Sequence, residues 1–120
     1  TALLEALRQA HRLVILTGAG MSAESGVPTF RDAMDGLWEQ FDPLELASAT
    51  GWDADRERVW AWYEWRRHLV QQAQPNQGHL AIPKLDEALK RVAGHDVTID
   101  VVTQNVDDLH ERGARAASAR

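Results

Sequence analysis

The sequence of 120 residues contains no cysteine, and its apolar runs are short. The absence of cysteine excludes disulfides and thiolate metal sites, and it fits a cytoplasmic setting. A membrane-spanning helix needs roughly 20 consecutive apolar residues, which this sequence does not offer, and no secretory signal pattern is present. We therefore expect a cytoplasmic protein that makes no contact with a membrane.

The sequence also lacks an excess of positive charge. Its 13 Lys and Arg residues are outnumbered by 18 Asp and Glu residues, which gives a formal net charge of −5 at pH 7. Binding to nucleic acid through its phosphates requires a basic face that displaces counterions. We therefore expect no direct nucleic-acid partner.

The composition, 44% hydrophobic and 26% charged, is typical of a globular domain. A chain of this length can bury one core but is short for a complete nucleotide-dependent enzyme. We therefore expect a part of a larger domain.

Two short apolar runs predict an incomplete α/β fold. Residues 13–16 (LVIL) are wholly apolar and include β-branched members, which is typical of a strand buried on both faces of a parallel sheet. Residues 97–102 (VTIDVV) predict a second strand, and the connection between the two favours parallel pairing. Residues 22–43 read as a long loop with short helical pieces, and residues 113–120 show no pattern. We expect a Rossmann-like parallel sheet with helices, the N-terminal half of a nucleotide-binding domain.

Helical periodicity is present in three segments, residues 2–12, about 53–73 and about 77–92. Asn76 is a candidate N-cap of the third helix, and Pro83 predicts either a first-turn position or a break within it. Together with the two strands, these helices complete the predicted α/β order.

A glycine motif follows the first predicted strand directly. Residues 18–23 (GAGMSA) match the pattern G-x-G-x-x-G/A, in which glycines permit a tight turn and a close approach of pyrophosphate to free backbone N–H groups. Alone, the motif is equally suited to a plain strand-to-helix turn. No acidic residue ends a second strand about 20 positions later, which disfavours an ordinary dehydrogenase.

Two longer blocks resemble the signatures of the sirtuins, the NAD-dependent protein-lysine deacylases of the silent-information-regulator family. The first comprises residues 18–32 (GAGMSAESGVPTFRD) and 36–38 (GLW), and the second residues 103–113 (TQNVDDLHERG). Residues 75–79 (PNQGH) resemble a helix start between them. The resemblance implies NAD as the cofactor, acylated lysine of proteins as the substrate, and residues 1–113 as part of the catalytic domain. It leaves residues 114–120 as a tail without the family pattern.

The resemblance implies a role for individual residues. The glycine loop would cradle the NAD phosphates, a loop over residues 24–38 would close over the cofactor, and the second block would line the nicotinamide and ribose pocket. The implied cofactor-binding residues are Gly18, Ala19, Gly20, Ser22, Ala23, Phe30, Arg31, Trp38, Gln104, Asn105 and Asp107. Asn105 and Asp107 would also serve catalysis, and because both could cap the helix that begins there, we expect capping and ligand contact together.

Two parts of the family's machinery are missing from this sequence. The catalytic histidine of the family lies in a later block of the type LHG, and the family's zinc module uses cysteines. Neither is present here, so zinc, which is expected of the complete domain, has no ligands in this chain. His110 is interpreted as structural because it stands alone on a predicted helix, a turn beyond the pocket residues. We expect the isolated chain to have little deacylase activity.

An arginine is predicted on the buried face of the second helix. Val59, Tyr63, Arg66, Val70 and Ala73 share one line of the helix, with Trp62 and Leu69 beside it, whereas Arg67 points to solvent. A buried guanidinium needs an anion, and the residues alone leave open an internal carboxylate or a ligand carboxylate.

The resemblance favours a ligand carboxylate at this arginine. Sirtuins that remove acidic acyl groups carry a Tyr-x-x-Arg pair like Tyr63 and Arg66, which would bind a succinyl or malonyl group. Two other readings remain open, a non-catalytic NAD or ADP-ribose-binding module and a regulatory interaction domain. The exposed edge of a two-stranded sheet would also permit self-association of such a fragment.

Overall fold

The computed structural model describes residues 1–29 and 38–119, and the chain divides into two units. Unit 1 comprises Thr1–Ser25 and Gln74–Arg120, and unit 2 comprises Gly26–Ala73. Within the described ranges, no helix combines the length and the apolar character needed to cross a membrane.

Unit 1 is built on a parallel pair of strands. Strand β1 (Arg12–Thr17) pairs with β2 (Thr98–Thr103), and the register places Thr17 opposite Thr103. This confirms both predicted strands and their parallel direction. The glycine motif and the block that begins at Gln104 therefore follow the carboxyl ends of adjacent strands, where open α/β sheets bind ligands.

One face of this sheet is exposed, which corrects the prediction that β1 is buried on both faces. Val14 is 54% exposed, Leu16 is 76% exposed and Val102, opposite Leu16, is 51% exposed. The other face carries Thr17, which contacts His110 at a distance of 2.8 Å. The apolar run identifies a strand suited to burial on both faces, but within this chain the partly buried residues lie mainly on one of them.

The helices of unit 1 precede β1, lie between the two strands in sequence, or follow β2. They are α1 (Ala2–Gln9), α2 (Gly20–Ala23), α6 (Gln77–Ala81), a 3-10 turn (Ile82–Lys84), α7 (Leu85–Ala93) and α8 (Leu109–Ser118). Asn76 caps α6 as predicted, because its side chain accepts a hydrogen bond from the Gly78 amide. Pro83 lies in the 3-10 turn, which confirms the predicted break.

Helix α8 corrects the interpretation of residues 113–120 as having no pattern. The helix continues to Ser118 through an alanine-rich stretch, and alanine has the highest helix propensity. Gly113 is buried within it, and a Cβ atom at this position would lie 2.5 Å from the backbone oxygen of His79. The glycine therefore permits the close approach of α8 to α6, two helices that pack together.

The described residues of unit 2 form three helices, α3 (Pro43–Leu46), α4 (Ala49–Ala54) and α5 (Arg56–Gln72). The predicted start of the long helix near residue 53 is therefore too early. Asp55 has extended φ and its carboxylate accepts the Arg58 amide proton, so it ends α4 and caps α5. The core consists of Leu46, Val59 and Trp62, with the partly buried rings of Trp38, Phe41 and Trp65 packed against it.

Candidate functional site

The loops that follow β1 and β2 touch at the carboxyl edge of the sheet. The Asn105 side-chain amide donates a hydrogen bond to the Gly18 carbonyl oxygen at 2.9 Å. A Cβ atom at Gly18 would lie 2.6 Å from the Gln104 Nε2 atom, so only glycine allows this approach without displacing the amide. The structure thus brings together Gly18, Gln104 and Asn105, three residues that the sequence places in one site.

The glycine loop presents bare backbone at this edge. Ala19 and Gly20 are exposed, and a Cβ atom at Gly20 would meet no atom within 4 Å. Helix α2 begins at Gly20, and the amides of Met21 and Ser22 donate to the carbonyl oxygens of Gly18 and Ala19 at 3.0 and 3.1 Å, which makes the turn tight. The exposed backbone of Ala19 and Gly20 leaves space for a phosphate group to approach closely. These residues fit the pyrophosphate of a dinucleotide.

A hydrogen-bonded network lies behind the glycine loop. The Asn76 side-chain amide donates to the Met21 carbonyl oxygen at 2.8 Å and to the Ser25 hydroxyl at 3.0 Å. His79 Nδ1 accepts the backbone N–H of Asn76, so the proton of the neutral ring lies on Nε2, which faces the Ser22 hydroxyl at 3.4 Å. The cap of α6 therefore also fixes the position of the loop.

Ser22 and His79 are both buried. Burial lowers the pKa of the His79 imidazole below its ordinary value, and the nearby His110 lowers it further, while Asp107 acts in the opposite direction. The ring is therefore held neutral. The Ser22 hydroxyl faces this ring. The contact with phosphate that we predict for Ser22 stays a prediction.

His110 joins α8 to the sheet. The Thr17 hydroxyl donates to Thr103 Oγ1 at 2.8 Å, so His110 Nε2 donates to Thr17 Oγ1, also at 2.8 Å. Its ring meets that of His79 edge-on, with centroids 5.1 Å apart. These contacts are those of a structural residue, as the sequence indicates. Sequence reasoning singled out neither Thr17 nor Thr103 as the link.

Asp107 is buried and lies just before Asp108, the N-cap residue of α8. The Asp107 carboxylate accepts the Leu109 backbone N–H at 3.1 Å at the start of α8. Of the two residues predicted as caps, only Asp107 makes such a bond, because Asn105 directs its side-chain amide to Gly18 instead. A role of either residue in catalysis stays a prediction.

The buried face of α5 agrees with the predicted one at Val59 and Ala73 and departs from it at Tyr63. Val59 and Trp62 are buried, whereas Tyr63 is 47% exposed and Arg66 is partly buried. The helix is therefore rotated toward Trp62, the largest side chain of the core. Arg67 is exposed, as predicted, and its guanidinium lies 3.5 Å from the Glu64 carboxylate.

Arg66 lies against an aromatic ring. Its Cζ atom is 5.0 Å from the centroid of the Trp62 ring. Burial lowers the pKa of the Arg66 guanidinium below its ordinary value, while Tyr63 acts in the opposite direction. Tyr63 lies three positions before Arg66 on the same helix, which is the spacing that the predicted pair requires.

Three further predicted cofactor residues have different outcomes. Trp38 packs in unit 2 against Phe41 and Trp65, with ring centroids 5.7 Å and 6.2 Å away. Its contact with the cofactor stays a prediction. Phe30 and Arg31 lie outside the described residues.

A cavity of about 430 Å³ adjoins the covered face of the sheet in unit 1. Its walls include His79, His110 and Asp86 among mostly apolar side chains, and none of the described residues that we predict to bind the cofactor lines it. Across residues 1–29 and 38–119, no group of three or more potential ligands from His, Asp and Glu could hold a metal ion. The prediction of a cofactor site therefore depends on the residues at the carboxyl edge of the sheet, and not on this cavity.

Comparisons with known proteins bear on the whole chain. A model described as the Sir2 family matches residues 18–117. An NAD-dependent protein deacylase of Pseudomonas putida is 55% identical over 108 residues, covering 90% of this chain and 38% of the relative. One of Methylococcus capsulatus is 50% identical over 118 residues, covering 98% of this chain and 44% of the relative. The chain thus spans about two fifths of these relatives.

Solved structures agree in fold. The crystal structure of a Sir2 homologue in complex with NAD has a TM-score of 0.75 and 48% identity, covering 93% of this chain and 41% of that chain. A Sir2 complex with a deacetylated p53 peptide and 3'-O-acetyl ADP-ribose has a TM-score of 0.62 and 28% identity, covering 93% of this chain and 42% of that chain.

Proposed function

Because the chain belongs to the Sir2 family, we propose that it is the segment of an NAD-dependent protein-lysine deacylase that holds the phosphate and nicotinamide side of the cofactor. The observation that carries this proposal is the contact between the two loops at the sheet edge. Asn105 fixes the Gly18 carbonyl, and the open space beside the Gly20 backbone allows a phosphate group to approach closely.

NAD, when bound, supplies the ribose carbon that accepts the oxygen of the acyl amide as nicotinamide leaves. Asn105 is suited to orient a hydroxyl or water in that pocket, since its amide already lies between the two loops. Asp107 is suited to accept a hydrogen bond from the nicotinamide amide through a carboxylate oxygen, while Oδ1 accepts the Leu109 backbone N–H. Exclusion of water around these groups would strengthen each contact.

The acyl group would be selected by Tyr63 and Arg66. A guanidinium binds a carboxylate through two parallel hydrogen bonds, and a phenol three positions earlier on the same helix can add a third. Both side chains belong to α5, and both contact the ring of Trp62. We propose succinyl-lysine and malonyl-lysine as substrates beside acetyl-lysine.

We propose that the isolated chain binds NAD and an acylated peptide but deacylates the peptide slowly. Residues 1–120 contain no LHG block, the block in which the resemblance places the family's catalytic histidine. Incubation with NAD and an acylated peptide should release little nicotinamide, and rapid release would contradict this point alone.

One calorimetric experiment tests the binding proposals. The chain is titrated with NAD, and Asn105→Ala should weaken binding about tenfold or more, because it removes a contact that fixes the glycine loop. Val106→Ala is the matched control, since the neighbouring Val106 is 89% exposed. No NAD binding, or equal effects of the two substitutions, would contradict the cofactor site.

The same titration with peptides tests the acyl site. Succinyl-lysine and acetyl-lysine peptides are compared for the unsubstituted chain and for Arg66→Met, which should lose affinity for the succinyl peptide while affinity for the acetyl peptide changes little. Arg67→Met is the control on the exposed side of the helix. An equal loss for both peptides would contradict the acyl role, and NAD binding without acyl preference would favour a non-catalytic NAD or ADP-ribose module.

A further inference from the structure

We propose that Trp62 is a positioning residue for acyl selection, which holds the Arg66 guanidinium where it meets the carboxylate of an acidic acyl group. The inference rests on the proposed function of Tyr63 and Arg66. It adds a residue outside the Tyr-x-x-Arg pair, one that cannot itself touch solvent.

The contacts of Trp62 reach both members of the pair. The Arg66 Cζ atom lies 5.0 Å from the centroid of the Trp62 ring, within the range of a cation–π interaction. The Tyr63 ring meets the same indole edge-on, with centroids 4.9 Å apart and an interplanar angle of 68°. One side chain therefore contacts the proposed anion-binding group and the proposed phenol.

Trp62 is also fixed in position. It is 0% exposed, and it forms one core cluster with Leu46 and Val59, against which Trp38 and Trp65 pack. A close-packed interior leaves a side chain of this size little freedom to change rotamer. The indole is thus a rigid surface for the longer and more flexible arginine.

Stacking and carboxylate binding are compatible in one guanidinium. A cation–π contact engages its flat face, whereas a carboxylate binds the N–H donors at its edge. An arginine held this way loses less freedom on binding its ligand, so pre-organisation raises affinity for an acidic acyl group. An acetyl group has no carboxylate and gains nothing from it. The ratio of the two affinities therefore reports on Trp62.

The test compares side chains of graded ring character at position 62. Trp62→Leu removes the ring, and Trp62→Phe keeps a weaker one. Tryptophan with one to three fluorine atoms, inserted at position 62, keeps the shape of the indole while withdrawing electrons from its face. Each protein is titrated with succinyl-lysine and acetyl-lysine peptides, and circular dichroism confirms that it is folded.

We expect Trp62→Leu to lower the succinyl-to-acetyl affinity ratio by about 3- to 10-fold, in line with the strength of a cation–π contact. Trp62→Phe should retain most of the preference, and the fluorinated series should lose it stepwise. If Trp62→Leu does not fold, the fluorinated series alone decides the question, because its members keep the volume of the core.

The outcomes separate this inference from the proposed function. If Arg66→Met abolishes the succinyl preference but fluorination of Trp62 leaves the ratio unchanged, Trp62 only fills the core and the inference is wrong. If the unsubstituted chain shows no succinyl preference, the acyl role of Arg66 is wrong, and the inference is overturned with it.

Discussion

Unit 1 and unit 2 hold the polar residues of their proposed sites in place by different contacts. In unit 1, hydrogen bonds join segments that lie 51 to 93 residues apart in sequence, among them those of Asn76 to Ser25 and of His110 to Thr17. In unit 2, Arg66 lies against the ring of Trp62, which belongs to an aromatic core. The first arrangement depends on donors and acceptors, the second on the volume and faces of rings.

This difference determines what each unit tolerates. A hydrogen bond has a narrow range of length and angle, and a buried group that loses its partner costs about 1–3 kcal/mol. Dispersion and ring contacts are individually weak and change gradually with distance. A small chemical change should therefore disturb unit 1 more than unit 2, unless the change alters volume.

At Gly113, the stability of unit 1 depends on the volume of the side chain. Gly113→Ala should destabilise the chain by about 1–3 kcal/mol, because the new methyl group would lie 2.5 Å from the backbone oxygen of His79, which cannot move without shifting α6. Gly20→Ala makes the same chemical change where no atom lies within 4 Å, and should be neutral or slightly stabilising. Urea unfolding measures both, and equal effects would show that α6 and α8 can separate at little cost.

The pH dependence of stability should come mainly from unit 1. The pKa of His79 is lowered by burial and by His110, against the opposing effect of Asp107, with Arg112 acting in the same direction as His110. The unfolded chain therefore takes up a proton at a higher pH than the folded chain does. Stability should be full above the ordinary histidine pKa, near 6.5, and should fall as the pH drops below it toward the folded pKa.

Unfolding in urea between pH 5 and pH 8 checks this direction. His79→Gln should flatten the dependence on pH, although it lowers stability throughout because the cap of α6 loses a partner. His68→Gln changes an exposed histidine of α5 in unit 2 and should leave the slope as it is. A slope that survives His79→Gln would place the sensitive group elsewhere.

The sequence predicts unit 1 better than unit 2, for physical reasons. The strands, the Asn76 cap and the meeting of Gly18 with Asn105 follow from local rules, since carboxyl ends of parallel strands must share an edge. The rotation of α5 does not follow from them. Tyr63 and Trp62 are both apolar enough for burial, and the core into which Trp62 fits is assembled partly from Leu46, a residue of another helix.

Two other features of the chain cannot be predicted from local sequence patterns. Helix α8 contains Gly113, which lowers helix propensity, and its use becomes clear only from the close approach to His79. The exposure of Val14 and Leu16 depends on which parts of a domain are present, which no pattern within the strand encodes. Capping and spacing are local properties, whereas packing depends on distant partners.

The smallest effects are expected at the surface ion pairs, and they should still differ between the units. Arg12 contacts Asp100 across the strands of unit 1 at 2.7 Å, whereas Arg67 contacts Glu64 within α5 of unit 2 at 3.5 Å. Asp100→Asn should cost at most about 1 kcal/mol, and Glu64→Gln less than about 0.5 kcal/mol, because both pairs are solvated.

Salt provides the control for these two substitutions. Raising the salt concentration to 1 M shortens the screening length to about 3 Å and should remove both differences in unfolding free energy. If the Asp100→Asn difference persists in salt, the hydrogen bond from Arg12 Nε to Asp100, also 2.7 Å long, stabilises the strand pair as a directional contact rather than as a charge pair. If instead Glu64→Gln proves the costlier change, the contrast between a hydrogen-bonded unit 1 and a packed unit 2 does not extend to their surfaces.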